Sequence, residues 1–255
     1  MAAAASPKAS IAGMAEGTLA KVLRDGHIRI GVWLEAPPWG YRRLDGTAAG
    51  TEVDLARLIA RGLGVEAILV PLSLGERAVA VQERRVDLLS ATMVILPERL
   101  LQVAFARPHA CFESLLVFHD SLGRPSLDDF VGRRIAVRRN TAAVRLLQAR
   151  FGAQVTLVFT ETYEESIQMA RQGLADAASL PDLRHRFFSL TNPDYDLTRR
   201  LPVGRLSYGL AVHHGEPDLL HTVNTLLMLA QQSGELLEIG EREAVMLGAC
   251  IRPPA

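Results

Sequence analysis

From His27 to Ser90, short β-rich runs alternate with amphipathic stretches, and few folds accept that order. Residues 27–33 (HIRIGVW) suit a strand and follow a helix that ends at an Asp25-Gly26 turn. Residues 52–62 carry Val53, Leu55, Leu58 and Ile59 at helical spacing, closed by Gly62 and Gly64. Strands at 67–70 and 87–90 flank a helix at 77–84. Strands separated by helices predict a parallel sheet covered on both faces, because each crossover must return over the sheet.

After Pro108 the alternation restarts. Strands are predicted at 114–118, 134–137, 156–159 and 177–179, with helices at Ala142–Phe151 and 164–172. A last strand at 206–212 leads through His213-His214-Gly215 into an amphipathic helix at 218–230. A chain of 255 residues can build one large domain or two lobes.

Composition excludes several functions. Lys+Arg and Asp+Glu both number 28, so no charge imbalance recommends nucleic acid or an anionic membrane. No apolar run approaches the ~20 residues that span a bilayer. The opening MAAAASPKASIAGMAE lacks the apolar core of a secretory signal, and no lipobox cysteine is present. Either a signal was removed or mis-started upstream, or the protein stays in the cytoplasm. Cys111 and Cys250 are the only cysteines. Buried free thiols are the default expectation, and a single bridge between them is the alternative, which would favour an oxidising compartment. His213-His214 reads as a solvated turn, because no acid or cysteine sits at metal spacing. No GxSxG elbow or glycine-rich phosphate loop occurs. No metal or cofactor is therefore expected.

The stretch from Ser73 to His109 reads as helix, strand, polar turn and a helix opened by Pro97-Glu98-Arg99. Proline at a first helical position is pre-organised, and an acid beside it complements the helix end. Arg99 then falls in the first turn, where an arginine fork suits a carboxylate.

This segment resembles the family 3 solute-binding proteins of bacterial ABC importers, type II periplasmic binding proteins mostly specific for amino acids. Glu76-Arg77 stands at the family's Asn-Arg, Arg85-Val86-Asp87-Leu88 at its Gly-Lys-Val-Asp-Leu, and Pro97-Glu98-Arg99 at its Pro-Glu-Arg. Phe105-Ala106-Arg107-Pro108-His109 stands at its Phe-Ser-x-Pro-Tyr, and the resemblance runs from Thr18 to Glu241. It implies a two-lobed α/β fold with a two-segment hinge. A flexible segment 1–17 would precede a first lobe of 18–109 plus 210–255, with 110–209 as the second. The crossings near 108–111 and 208–212 would be the hinges. It also implies a periplasmic monomer that meets an inner-membrane ABC permease.

The resemblance points to site residues one by one. Pro37-Pro38-Trp39 matches the family's Pro-Pro-Phe, whose aromatic commonly stacks on the ligand. Trp33 falls where many relatives carry an acid that reads a basic side chain, which argues against lysine, arginine or histidine as ligand. Arg77 lies where binders of acidic amino acids carry a contacting arginine, and a solvated helix charge is its alternative. Thr92 can offer a hydroxyl from a strand end. Asn140-Thr141 matches the family's Gly-Thr at the first helix of the second lobe, and both residue types also serve simply as caps.

Departures from the pattern bear on the ligand. Val94-Ile95-Leu96 replaces Thr-Ile-Thr and loses two hydroxyls. Pro181 occupies the place of the aspartate that binds an α-ammonium, so Asp182 would have to substitute by a register shift. Both changes weaken the expected recognition of an α-amino group. The leading expectation is an importer's binding protein for a small carboxylate or amino acid, closing over it in a cleft between the lobes. A sensory or orphan binding module is one alternative. A cyclohexadienyl-dehydratase-like enzyme on the same fold is another, with Glu35, Glu52 or Asp182 as its candidate acids or bases.

Overall fold

A computed structural model describes residues 17–123 and 125–242. The chain opens with α1 (Thr18–Asp25), which Gly26 ends in a left-handed conformation, and enters β1 (His27–Val32). Three short strands follow, β2 (Glu35–Ala36), β3 (Gly40–Arg42) and β4 (Ala48–Ala49), paired antiparallel in a small sheet. Paired segments of two or three residues are too short to leave a period-2 pattern in the sequence.

Next come α2 (Thr51–Leu63), β5 (Glu66–Pro71), α3 (Arg77–Gln82) and β6 (Leu88–Leu89). β1 pairs parallel with β5 on one side and with β6 on the other, as the alternation predicts. Gly64, not Gly62, closes α2. Gly62 lies inside the helix, at a position where a Cβ would stand 2.6 Å from Leu226 Cδ2.

Residues Pro97–Leu101 form a 3-10 turn of five residues, not the expected α-helix. The Leu96 carbonyl accepts from the N–H groups of both Arg99 and Leu100, which tightens the segment before it can propagate. β7 (Ala104–Phe118) then runs for 15 residues. After two further 3-10 turns come β8 (Arg134–Arg138), α4 (Ala142–Phe151), β9 (Thr156–Thr160), α5 (Tyr163–Arg171), β10 (Ala177–Pro181) and α6 (Asp182–Thr191). β11 (Arg199–Val212) leads into α7 (Pro217–Gln232) and α8 (Glu235–Arg242). Helices α6 and α8 have no counterpart in the sequence reading.

The fold divides into two compact units. The first runs to His109 and resumes at Gly209; the second is Ala110–Tyr208. Strands β7 and β11 therefore each contribute residues to both units. In the first unit β6 pairs with β11 antiparallel through Leu89 and Ala211. Ile28, Ile30, Leu55, Ile59, Leu88 and Leu89 are fully buried there.

In the second unit β8 lies between β10 and β9, parallel to both, and β10 pairs antiparallel with β7. Successive residues of β7 feed opposite faces of this sheet, the period-2 rule of a strand covered on both sides. Leu116 and Phe118 join Phe130, Ile135, Val137, Leu147 and Phe151 on one face. Leu115 and Val117 join Ile167, Ala170, Leu180, Phe188 and Leu197 on the other.

Cys111 is disulfide-bonded, which corrects the expectation of free thiols. Cys250 lies outside the described residues. No helix among the described residues is long and apolar enough to cross a membrane, and no group of metal-ligating side chains is found among them.

Candidate ligand-binding site

Parallel strands present their functional surface beyond their carboxyl ends, so each unit is followed there. In the first unit β1 runs out at Trp33 and β6 at the segment Ser90–Ala91–Thr92. Arg77, at the start of α3, ties these ends together. Its Nε donates to the Leu74 carbonyl at 3.0 Å, and its Nη1 donates to the carbonyls of Ala91 at 2.6 Å and Thr92 at 3.0 Å. Its guanidinium carbon lies 5.6 Å from the centroid of the Trp33 ring. Arg77 is only 5% exposed, so the alternative of a solvated helix charge is discarded. Thr92 adopts φ 50°, unusual for a β-branched residue, and this turns its carbonyl into the Arg77 fork.

Trp39 is buried, and its loop is fastened to α2, where the Glu52 N–H donates to the Trp39 carbonyl at 2.8 Å. Gly50 makes the approach feasible: with φ 110°, a Cβ there would lie 2.5 Å from the Trp39 oxygen. Arg99 sits in the 3-10 turn, with Nη1 donating to the Val94 carbonyl at 3.0 Å. Its backbone N–H is bonded to Leu96, so any anion affinity at this position belongs to the guanidinium and not to an open helix end. The Val94 side chain is buried.

Glu52 is not an available acid. It is 2% exposed, with Oε1 2.9 Å from His109 Nε2 and Oε2 2.8 Å from the Ser90 hydroxyl. Burial alone would push its pKa up. The charge and hydrogen bond of His109, the Ser90 hydroxyl and the Thr92 N–H outweigh that and hold it below the ordinary carboxylate value. Glu35, by contrast, is exposed on β2.

In the second unit Asn140 and Thr141 follow β8. Asn140 is exposed at φ 58°. Thr141 occupies the N-cap position of α4 without capping it; its hydroxyl instead donates to the Arg138 carbonyl at 2.8 Å. The reading of Thr141 as a side-chain cap is therefore corrected. Pro181 ends β10, and Asp182 begins α6 with Oδ1 accepting from the Leu183 N–H at 2.7 Å. Burial, first, and the neighbouring Glu113 charge raise the Asp182 pKa; the N–H groups of Leu183 and Glu113 and the Arg200 charge oppose the rise.

Sequence reasoning passed over three residues at this edge. Arg138 and Arg184 both lie against the ring of Tyr163, their guanidinium carbons 5.3 and 5.7 Å from its centroid. The signal was faint, because arginine supplies 26 of the 28 basic residues and no single one stands out.

The chain belongs to the bacterial extracellular solute-binding proteins, family 3, whose model matches residues 28–243. Its fold is that of the two-lobed type II periplasmic binding proteins. It is similar to the L-cystine-binding protein TcyJ of Escherichia coli, 27% identical over 233 residues that cover 89% of this chain and 86% of that one. Among solved structures it resembles a mutant of ArgBP from T. maritima, with a TM-score of 0.75 and 26% identity over 89% of this chain and 98% of that one. The ancestral amino acid-binding protein AncCDT-1, a precursor of cyclohexadienyl dehydratase, shares the fold at a TM-score of 0.78 and 24% identity, covering 89% and 99% of the two chains.

Proposed function

We propose that this chain is the substrate-binding component of an ABC-type importer, held in the periplasm as a monomer, which captures a small carboxylate or amino acid by hinge closure and delivers it to an inner-membrane permease. The observation that carries the reading is Arg99, tethered through Nη1 to the Val94 carbonyl just beyond β6 in a family 3 chain. A tethered guanidinium is held in one orientation, and its planar fork matches the two oxygens of a carboxylate. Ligand contacts made only in the closed form would shift an open–closed equilibrium, and no chemistry is needed. Thr92, Trp39, Asn140, Thr141 and Asp182 would complete the first contacts.

The ligand we infer is not basic. Trp33 stands where an acid would read a cation, and the Arg77 guanidinium is already stacked against its ring. A second cation there would meet like charge. The relatives' ligands, cystine and arginine, thus separate, and the cystine-like side of the family fits better. An enzymatic role loses one of its candidates, since Glu52 is buried against His109.

The test is a thermal-shift screen of amino acids and organic acids, followed by calorimetry on wild type and Arg99→Ala. A ligand that binds only the native state raises Tm. Loss of a buried bidentate partner is expected to weaken binding by about 2–5 kcal/mol. Affinity unchanged within about threefold in Arg99→Ala would remove Arg99 from the site.

A further inference from the structure

We propose that the first unit carries a second binding site, for a small molecule bearing phosphoryl groups, in a cleft at the sheet edge opposite Trp33 and Thr92. The site stands independently of the importer reading.

The cleft encloses about 660 Å3, and its walls belong entirely to the first unit. Arg29 lies early in β1, and Asp87 directly precedes β6, so both mark the amino edge of these parallel strands. β11 is antiparallel to β6 and therefore ends at the same edge, where His213 and Glu216 follow it. α1 lines the cleft with Lys21 and Arg24, and the turn after α3 adds Arg84. Strand order, not local sequence, gathers these groups.

Basic groups outnumber acids in the lining, and both acids are already engaged. Arg29 Nη2 donates to Asp87 Oδ1 at 2.6 Å, while its Nε and backbone N–H donate to Oδ2 at 3.1 and 2.9 Å. Glu216 accepts from Arg84 Nη1 and, at 2.9 Å, from the Thr18 N–H. Lys21 has no ion pair among the described residues, and Arg24 meets only Asp25 there, at 3.4 Å. Two clamped pairs and two further cations leave the cleft positive. A phosphoryl group carries about 1.5–2 negative charges at neutral pH and a carboxylate one, so phosphoryl groups match the excess better. Arginine forks and a lysine point charge are both suited to phosphate oxygens.

Two further features shape the site. Arg84 adopts φ 54°, in the left-handed region that favours glycine, and residues held this way gather at binding sites. Its guanidinium also donates to Thr18 Oγ1 at 3.3 Å and lies 3.2 Å from His213 Nδ1, so one strained residue ties α1 to the segment after β11. The lining includes no Phe, Tyr or Trp, which favours a compact polyanion over a nucleotide that needs a stacking partner. The volume falls within the ~300–1,000 Å3 of small-molecule sites.

Calorimetry on the full chain at about 0.15 M salt, where diffuse attraction is screened, would test the site. Pyrophosphate, fructose 1,6-bisphosphate and citrate would be titrated into wild type, Arg99→Ala and the double variant Lys21→Gln/Arg24→Gln. At least one phosphoryl compound is expected to bind saturably, tenfold or more tightly than citrate, and to raise Tm. The tighter of the two distinguishes an inorganic from an organic ligand. The double variant alters two exposed side chains of α1, so the fold is kept, and it should weaken that binding at least tenfold. Arg99→Ala should leave it within threefold. Binding untouched by the double variant would overturn the site, and binding lost in Arg99→Ala would overturn it by locating the anion at Arg99. Citrate as tight as either phosphoryl compound would overturn the phosphoryl assignment. Absence of saturable binding would overturn the whole inference and leave the importer reading standing.

Discussion

His109 Nε2 lies 2.9 Å from Glu52 Oε1, joining residues 57 positions apart with both side chains almost wholly excluded from solvent. His109, on β7, is the last residue of the first unit before the chain enters the second, and Glu52 lies in the first turn of α2. The pair thus fastens the crossing strand to the helix that also holds the Trp39 loop, and it takes the place of the family's Pro-Tyr tyrosine at position 109.

Removing one partner of such a pair leaves the other charge buried. Glu52→Gln is expected to lose about 3–5 kcal/mol of unfolding free energy by urea titration. Because the folded pKa of Glu52 is depressed, its contribution is present above the unfolded value and is lost as pH falls through the folded one. Wild type should therefore lose stability on acidification below the ordinary glutamate pKa of about 4.3 more steeply than Glu52→Gln. Equal acid profiles for the two proteins would refute the assignment.

Arg77 is expected to behave as a structural arginine. Arg77→Lys keeps the charge but cannot reproduce a fork on the carbonyls of Leu74, Ala91 and Thr92. Unsatisfied buried carbonyls should cost about 1–3 kcal/mol in chemical denaturation. A Lys variant as stable as wild type would show that the fork is dispensable.

Asp182 should trade stability for binding. Its folded pKa is raised, so the protonated form is favoured by folding and stability falls as pH rises through the interval between the unfolded and folded values. Asp182→Asn is expected to raise the ligand-free Tm by roughly 1–3 °C at neutral pH. If Asp182 has taken over the missing ammonium acceptor, the same variant will also lose any preference for L-glutamate over glutarate in calorimetry. A preserved preference places ammonium recognition elsewhere.

Both tryptophans are buried in the first unit, but their surroundings differ. Trp33 already lies against the Arg77 guanidinium, whereas the Trp39 loop is held at its backbone. Ligand addition is expected to change tryptophan emission, and Trp39→Ala should abolish that change. A signal that survives in Trp39→Ala and vanishes in Trp33→Ala would move the aromatic wall to Trp33.

What could be read in the chain beforehand is what neighbouring residues record. Apolar spacing in 52–62 marked α2, the run at 27–33 marked β1, and Ala142–Phe151 matched α4 to the residue. Pro97-Glu98-Arg99 reads as the opening of a helix, yet the segment is a single 3-10 turn, because a favourable start does not ensure that the next residues propagate. α6 was missed because its apolar residues, among them Leu183, Phe187 and Phe188, are interrupted by Arg184, His185 and Arg186.

The sequence by itself determined the order of strands and helices, hence a parallel α/β fold in two successive sets, and through its motifs the family. Only the tertiary structure decided what the charged residues do. Arg77, read as a ligand contact with a solvated charge as its alternative, is a buried clamp on backbone carbonyls, Glu52 turned from a candidate acid into the partner of His109, and Arg138 and Arg184 became neighbours on one tyrosine ring. The physical reason is range. Helix and strand periodicity are written within a few residues, while a buried charge is defined by partners that strand order brings from 14, 46 or 57 positions away.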